Sequence, residues 1–365
     1  MTKIRDIIRH LEKLAPSSYQ ESYDNSGLIV GDPNKDVTNL LVTLDSTEEV
    51  VDEAIEKNCN LIIAHHPIVF GGLKSLTGRN YVERTIIKAI KNDIAIYAIH
   101  TNLDNVHLGV NKKISDKIGL ENCEILQPKK GVLSKLVSYV PVESVKQVLS
   151  ALHAAGAGNI GNYSDCSFRS EGTGTFKPGD NTDPHIGQQD KLEEVLENRI
   201  ELIFPSHLEG KVLNSLKESH PYEEVAYYIT QISNYNQEVG SGMIGELPEA
   251  MEPFAFLKSL KNSMSLNCIR HTKLIDKPVK KVAVCGGSGS FLLSAAKRKE
   301  ADIYITADFK YHEFFDAEND LVIADIGHYE SEVFTKELIC DTLSEKFTTF
   351  ALNLSEIVTN PISYL

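Results

Sequence analysis

The chain has 365 residues, 42% hydrophobic and 24% charged, with a formal net charge of -14. That length exceeds what one hydrophobic core usually organises, so two domains are expected. The acidic balance argues against a partner held through a phosphate backbone, which needs clustered Lys and Arg.

Cys59, Cys123, Cys166, Cys268, Cys285 and Cys340 form no C-x-x-C pair, a pattern that suits reduced thiols in a cytoplasmic protein rather than a disulfide frame or a zinc knuckle. The opening segment, Met1 to Leu14, carries charges throughout and lacks the apolar core of a signal peptide. No apolar run approaches the length of a membrane span. Ile4, Ile7, Ile8, Leu11 and Leu14 recur at helical spacing ahead of Pro16, which predicts a first helix with one apolar face. Turn formers then bracket a short strand around Gly27 to Val30, and Asp24 and Asn25 read as turn residues before they read as site residues. Asn39 to Leu44 is a second predicted strand, and Glu48 to Lys57 a helix capped by Asp45 or Ser46.

The run Leu61 to Ala64 predicts a buried strand that ends on His65 and His66, with Pro67 forbidding helix there. Consecutive strand residues face opposite sides, so both imidazoles reach one site only where the pleat breaks down or where the site holds two centres. The alternative is one hydrogen-bonded core histidine and one surface histidine. After a helical segment over Asn80 to Lys91, a strand from Ile94 ends in His100-Thr101-Asn102-Leu103-Asp104. Strands alternating with helices imply a mostly parallel sheet, whose ligands sit beyond the carboxyl ends of strands. His65, His66, His100 and Asp104 all fall at that edge.

From about Val132 the texture changes. A strand at Leu136 to Val140, a helix at Val142 to His153, exposed strands with a glycine-rich turn over Cys166 to Phe176, a strand at Ile200 to Phe204, a helix at Leu208 to Lys217 and a strand at Val225 to Ile232 follow in order. That order, β-α-β-β-α-β, is the split βαβ or ferredoxin-like plan. The polar stretch Gly172 to Asp190 reads as a mobile loop, and His153, His185, His207 and His220 show no ligand spacing and read as structural. The first texture returns near Lys281, where the strand Val282 to Cys285 runs into Gly286-Gly287-Ser288-Gly289-Ser290 and a helix over Phe291 to Lys299. This glycine turn suits an anion or close packing of strand on helix; Leu292 stands where a dinucleotide fingerprint needs its third glycine, and no Walker lysine follows. A strand over Ala301 to Ala307 leads to Asp308, Lys310 and His312. Another, Leu321 to Gly327, enters His328-Tyr329-Glu330-Ser331-Glu332 and a helix to about Lys346. The outer segments thus look like two parts of one α/β domain, with boundaries expected at 1–128, 129–245 and 246–365.

His328 and Glu332 lie four apart at a helix start, which stacks them on one face about 5–6 Å apart at Cβ. Together with His65, His66 and Asp104 they form a mixed imidazole and carboxylate set that suits zinc, manganese or iron. Five ligands exceed one tetrahedral zinc with an open position and suit two cations with a bridging carboxylate. The segments Asn25-Ser26-Gly27-Leu28, Ala64-His65-His66-Pro67, His100-Thr101-Asn102-Leu103-Asp104, His220-Pro221-Tyr222-Glu223-Glu224 and Gly327-His328-Tyr329-Glu330-Ser331-Glu332 resemble, in fixed order over essentially the whole chain, the NIF-three-like family, often catalogued as GTP cyclohydrolase I type 2 homologues. The resemblance implies two divalent metal ions per subunit on His65, His66, Asp104, His328 and Glu332. It also implies an inserted domain similar to PII and CutA proteins, and assembly as a toroidal homohexamer, a trimer of dimers. The expected function is a dinuclear metal-dependent hydrolase acting on a nucleotide-like or heterocyclic small molecule through a metal-bridging water. His100 and His312 are candidates to orient ligands or move protons, and Asp45 and the Gly286 to Ser290 turn are candidate substrate contacts. The alternative is a metal-binding adaptor or metal-handling scaffold without catalysis, since no dedicated nucleophile or general base stands out.

Overall fold

Short runs of Leu, Ile, Val and Ala make the central strands, because a strand covered on both faces needs no polar alternation. In the computed structural model, which describes residues 2–365, the N-terminal segment supplies β1 (Gly27–Val30), β2 (Leu40–Thr43), β3 (Leu61–Ala64), β4 (Ala95–Ala98) and β5 (Glu121–Lys130). The middle segment supplies β6 (Leu133–Pro141), β7 (Phe168–Phe176), β8 (Glu193–Pro205) and β9 (Tyr227–Ile232). The remainder supplies β10 (Tyr235–Met251), β11 (Arg270–His271), β12 (Val279–Ser288), β13 (Ile303–Ala307), β14 (Val322–Asp325) and β15 (Leu352–Leu354). Two units result: one runs up to Gln127 and resumes at Glu238–Leu365, and the other is Pro128–Gln237.

The first unit holds two sheets. One has the order β1-β4-β3-β2-β15, with β1 antiparallel at its edge and the rest parallel. The other has the order β11-β14-β13-β12-β10-β5, in which β12, β13 and β14 are parallel. Each outer segment lends a strand to the other's sheet, since the late strand β15 pairs with β2 and the early strand β5 lies beside β10. In-register parallel pairing lines up Thr43, Ala64 and Ala98, the last residues of β2, β3 and β4. One face of that sheet packs Leu41, Ile62 and Ile96 on Val50, Val51 and Ala54 of helix Glu48–Glu56 and on Ile86 and Ala89 of helix Tyr81–Lys91. In the other sheet Ala283, Tyr304 and Ile323 pack on Leu292, Leu293 and Ala296.

The second unit is an antiparallel sheet of order β7-β8-β6-β9, with helices Val145–Ala154 and Glu209–Ser219 in the sequence order β-α-β-β-α-β. Leu136, Val140, Ile200, Leu202 and Phe204 pack on Val148, Leu152, Val212 and Leu216 of those helices. Gly172 and Gly174 lie inside the extended strand β7, so the turn expected there is absent and the loop begins only after Phe176. Helix Glu48–Glu56 is capped by Thr47, whose Oγ1 accepts from the Val50 amide at 3.3 Å, not by Asp45 or Ser46. Sequence patterning also passed over β5, β10 and β15 and the helices Val110–Lys117 and Pro253–Ser263. Among the described residues no helix is long and apolar enough to cross a membrane.

Candidate metal centre

The parallel ladders continue one step past their strands. The His65 amide donates to Thr43 O at 3.2 Å, the His66 amide to Leu44 O at 2.9 Å and the Ile99 amide to Ala64 O at 2.9 Å. The pleat does not separate the paired histidines, for their rings lie 4.9 Å apart, tilted by 48°. β2 ends toward Asp45, β4 toward His100 and the short helix Thr101–Asp104, β13 toward Asp308, and β14 toward Gly327 and the short helix His328–Glu332. Carboxyl ends of strands from both sheets therefore deliver the polar groups, as expected for ligand sites in parallel sheets. Gly327 sits at φ +90°, and a Cβ there would meet Glu330 Oε2 at 2.3 Å, so the turn that launches the His328 helix needs glycine.

Each imidazole is held by its Nδ1 atom. His65 Nδ1 bonds Ile99 O at 2.8 Å, His66 Nδ1 bonds Asp45 Oδ1 at 2.7 Å, His100 Nδ1 bonds Asp24 Oδ1 at 2.8 Å and His328 Nδ1 bonds Asp308 Oδ2 at 2.6 Å. An acceptor at Nδ1 fixes the ring and turns Nε2 toward whatever lies in front of it, the arrangement found behind metal-binding histidines. Glu332 Oε2 lies 2.9 Å from His66 Nε2 and 3.1 Å from His328 Nε2, and its Oε1 lies 4.0 Å from His65 Nε2. One carboxylate thus faces three imidazoles. Asp104 Oδ1 is 3.5 Å from His65 Nε2, and both atoms are buried with no hydrogen-bond partner. With its Nδ1 proton on Ile99 O, His65 presents a lone pair at Nε2, so this atom and the ionised Asp104 Oδ1 are facing acceptors with no donor between them. Such orphaned acceptors are costly and rare; a cation satisfies both at once.

The charge pattern follows. Burial pushes the His65 imidazole down to about 3, so it is a neutral donor. Burial also opposes charge on His66 and His328, but Asp45 with Glu332, and Asp308 with Glu332, outweigh it and raise the two imidazoles to about 10 and about 11. Burial, then the Glu332 charge, raises Asp104, whereas Glu332 is held well below the carboxylate range because bonds from His328 and His66 outweigh its own burial. Asp24 is likewise held down against burial by His100, Thr101 and Ser26.

Side chains of His65, His66 and His100, of His66, His328 and Glu332, and of His65, Asp104 and Glu332 form three overlapping groups with ligand atoms close enough to share an ion. The imidazole and carboxylate donors suit a divalent zinc, iron or manganese ion. The five residues expected as ligands come together here, and His100, expected to orient ligands or move protons, joins them. His312 does not. It sits exposed in the turn Tyr311–Ala317, its ring 5.2 Å from Tyr311 and 6.3 Å from Phe315. Asp24, just before β1, and Asp308, just after β13, look like turn residues in the sequence; only the placement of an aspartate behind His66, His100 and His328 alike distinguishes them as ring supports. Asp45, free of any capping role, holds His66. In the Gly286 to Ser290 turn, the Gly286 amide donates to Asn111 Oδ1 and the Gly287 amide to Ser331 Oγ, both at 2.9 Å. Those two amides are spent inside the protein, and the turn instead brings backbone against Glu332, whose Oε1 lies 2.4 Å from where a Gly287 Cβ would stand.

Comparison with known proteins places this geometry in context. The model of the family Duf34/NIF3 (NGG1p interacting factor 3) matches residues 2–361. A Bacillus subtilis (strain 168) protein named GTP cyclohydrolase 1 type 2 homolog is 42% identical over 367 residues, spanning 99% of this chain and 98% of that one. Among solved structures, a Bacillus cereus protein related to NIF3 superposes with a TM-score of 0.88 at 40% identity, covering 100% of this chain and 99% of the other. A Staphylococcus aureus protein superposes with a TM-score of 0.79 at 32% identity, covering 100% and 99%.

Proposed function

The chain belongs to the Duf34/NIF3 family, and from that premise we propose that it is a dinuclear metal-dependent hydrolase acting on a nucleotide-like or heterocyclic small molecule. His65, His66, Asp104, His328 and Glu332 would hold two divalent cations. The observation that carries this reading is the buried pair of acceptors, His65 Nε2 and Asp104 Oδ1, 3.5 Å apart without a donor, inside a ring of imidazoles each anchored at Nδ1. Bound cations would supply Lewis acidity and the lowered water pKa that hydrolysis near neutral pH needs.

The chain's own groups do the rest. Ile99 O, Asp45 and Asp308 keep three rings from turning, so the donor atoms are set before anything binds. His100, held by Asp24 through Nδ1 at 2.8 Å, would offer its other nitrogen to a proton in transfer. Asn25 ties the neighbouring loop in place by donating from Nδ2 to Val69 O at 2.7 Å. Phe70, exposed and with its ring 5.8 Å from that of His100, would offer an apolar wall for a substrate ring.

A second reading, a metal-binding adaptor without catalysis, draws on the position of His312, which leaves His100 as the one imidazole of the two candidates near the centre. In either reading the inserted unit is taken as PII/CutA-like, and the subunits are taken to assemble as a toroidal homohexamer, which sedimentation would test. Metal-reconstituted chain should be screened against nucleotides, cyclic amides and phosphate esters. Turnover abolished by Glu332→Ala supports the hydrolase; silence across the panel from fully metal-loaded protein favours the adaptor.

A further inference from the structure

The unit Pro128–Gln237 contains a cavity of about 590 Å³. It lies over the sheet face turned away from the helices. On β8, Ile200, Leu202 and Phe204 pack on the helices, so Glu197, Arg199 and Glu201 stand on the opposite face. On β7 the residues paired with Arg199, Glu197 and Val195 are Ser170, Gly172 and Gly174. Three small residues at alternate positions strip that part of the face of side chains and leave a trench.

Aromatic rings wall the trench. Phe176, Tyr222, Tyr139 and His185 line it, with the Phe176 and Tyr222 rings 5.9 Å apart and those of His185 and Tyr222 6.3 Å apart. The segment after β7 folds over the opening, where the Asp183 amide donates to Glu223 Oε1 at 3.1 Å and the Asp190 amide to Pro178 O at 2.9 Å. At the floor is Glu197, only 7% exposed. Its Oε1 accepts from the Tyr222 hydroxyl at 2.9 Å. Its Oε2 has no protein donor and is turned into the trench, 2.1 Å from where a Gly174 Cβ would stand. The segment His220-Pro221-Tyr222 sets this up: the Tyr222 amide donates to His220 Nδ1 at 3.1 Å and His220 Nε2 donates to Tyr139 O at 2.9 Å.

The free carboxylate oxygen of a side chain more than nine-tenths buried, facing a cavity, asks for a donor, and the surrounding rings ask for a flat apolar face. The two basic side chains at the cavity are ion-paired, Lys177 with Asp190 at 3.0 Å and Arg199 with Glu201 at 2.8 Å, and Glu171, Glu197, Glu223 and Glu224 line it beside them, a charge balance that disfavours a phosphate. We propose that this cavity binds a planar nitrogen heterocycle without an anionic group, which donates an N–H to Glu197 Oε2 and lies against Phe176 and Tyr222.

The test is calorimetric titration of the full chain with guanosine, adenosine and cytidine, with their 5′-monophosphates, and with putrescine. The expected result is saturable binding of at least one nucleoside, with its monophosphate weaker. Glu197→Gln, which keeps the acceptor for Tyr222, should weaken that binding at least about tenfold, the scale of a charge-assisted hydrogen bond. Gly172→Leu should abolish it by filling the trench; nothing lies within 4 Å of a Cβ at Gly172, so the fold tolerates the change. Metal content should stay at the wild-type level in both variants. Absence of nucleoside binding, equal or tighter binding of the monophosphates, preference for putrescine, or indifference to both substitutions would each overturn the proposal.

Discussion

Carboxylates outside the expected ligand set decide which nitrogen three of the imidazoles present. Asp45, Asp24 and Asp308 each accept from an Nδ1 atom, and the backbone of Ile99 does the same for His65. Replacing Asp308 or Asp45 by Asn should therefore weaken divalent metal binding about 10–100-fold while all five ligands stay in place. Competition with a chromophoric chelator measures this, and an unchanged affinity in both variants would show that the rings are held by other means. Gly287→Ala is a second probe: at φ +61° and with Glu332 Oε1 2.4 Å from the added Cβ, the substitution is expected to displace the Glu332 carboxylate and lower the metal content of the purified chain without removing a donor. Wild-type metal content in that variant would mean that the glycine turn does not fix Glu332. At this scale much could be read beforehand, since His65, His66, His100, Asp104, His328 and Glu332 all sit where an apolar strand or its following turn ends. The supporting aspartates could not, because their partners are 20 or more residues away in sequence and no local pattern pairs them.

Among elements, the C-terminal tail does the least expected work. β15 is three residues long, too short to show a period, yet it extends the first sheet beside β2. Beyond it, the Ser355 hydroxyl donates to Glu53 Oε2, the Glu356 amide donates to Glu53 Oε1 at 2.9 Å, and the Thr359 hydroxyl donates to Asp45 Oδ2. Burial would raise Glu53, but the Glu356 amide, Lys57 and Ser355 outweigh it and hold its carboxyl below the usual range. A lowered folded-state pKa gives stability that is present above the ordinary carboxylate value of 4.5 and lost as the pH falls through the depressed value. Thermal unfolding between about pH 6 and pH 3 should accordingly fall more steeply for the wild type than for Glu53→Gln; parallel curves would remove Glu53 from the tail's anchorage. Thr359→Val should loosen Asp45 and, through it, His66, lowering metal affinity where Thr359→Ser restores it. An equal loss in both variants would assign Thr359 a packing role alone. The strand β5 escaped recognition for a different reason: Pro128 and its charged residues break any apolar alternation, and its place is set by the sheet it completes.

Across the molecule, the exchange of β5 and β15 between the two sheets makes the outer segments one folding unit, and it explains why His328 and Glu332 meet residues more than 200 positions earlier in the chain. The alternation of strands and helices made the α/β character readable, but which sheet each strand joins depends on long-range pairing that no local period encodes. A fragment of residues 2–127 lacks β15 and both C-terminal donors, so alone it should neither fold cooperatively nor retain metal, and co-expression with residues 128–365 should restore both. A folded, metal-retaining N-terminal fragment would contradict that interdependence. The most direct test of the central claim is anomalous diffraction at the metal edge from crystals of the purified, metal-loaded chain. Peaks should appear between His65, His66, Asp104, His328 and Glu332, two per chain, and vanish in His66→Ala and Glu332→Ala proteins that remain folded. Peaks elsewhere, or unchanged peaks in those variants, would contradict the account.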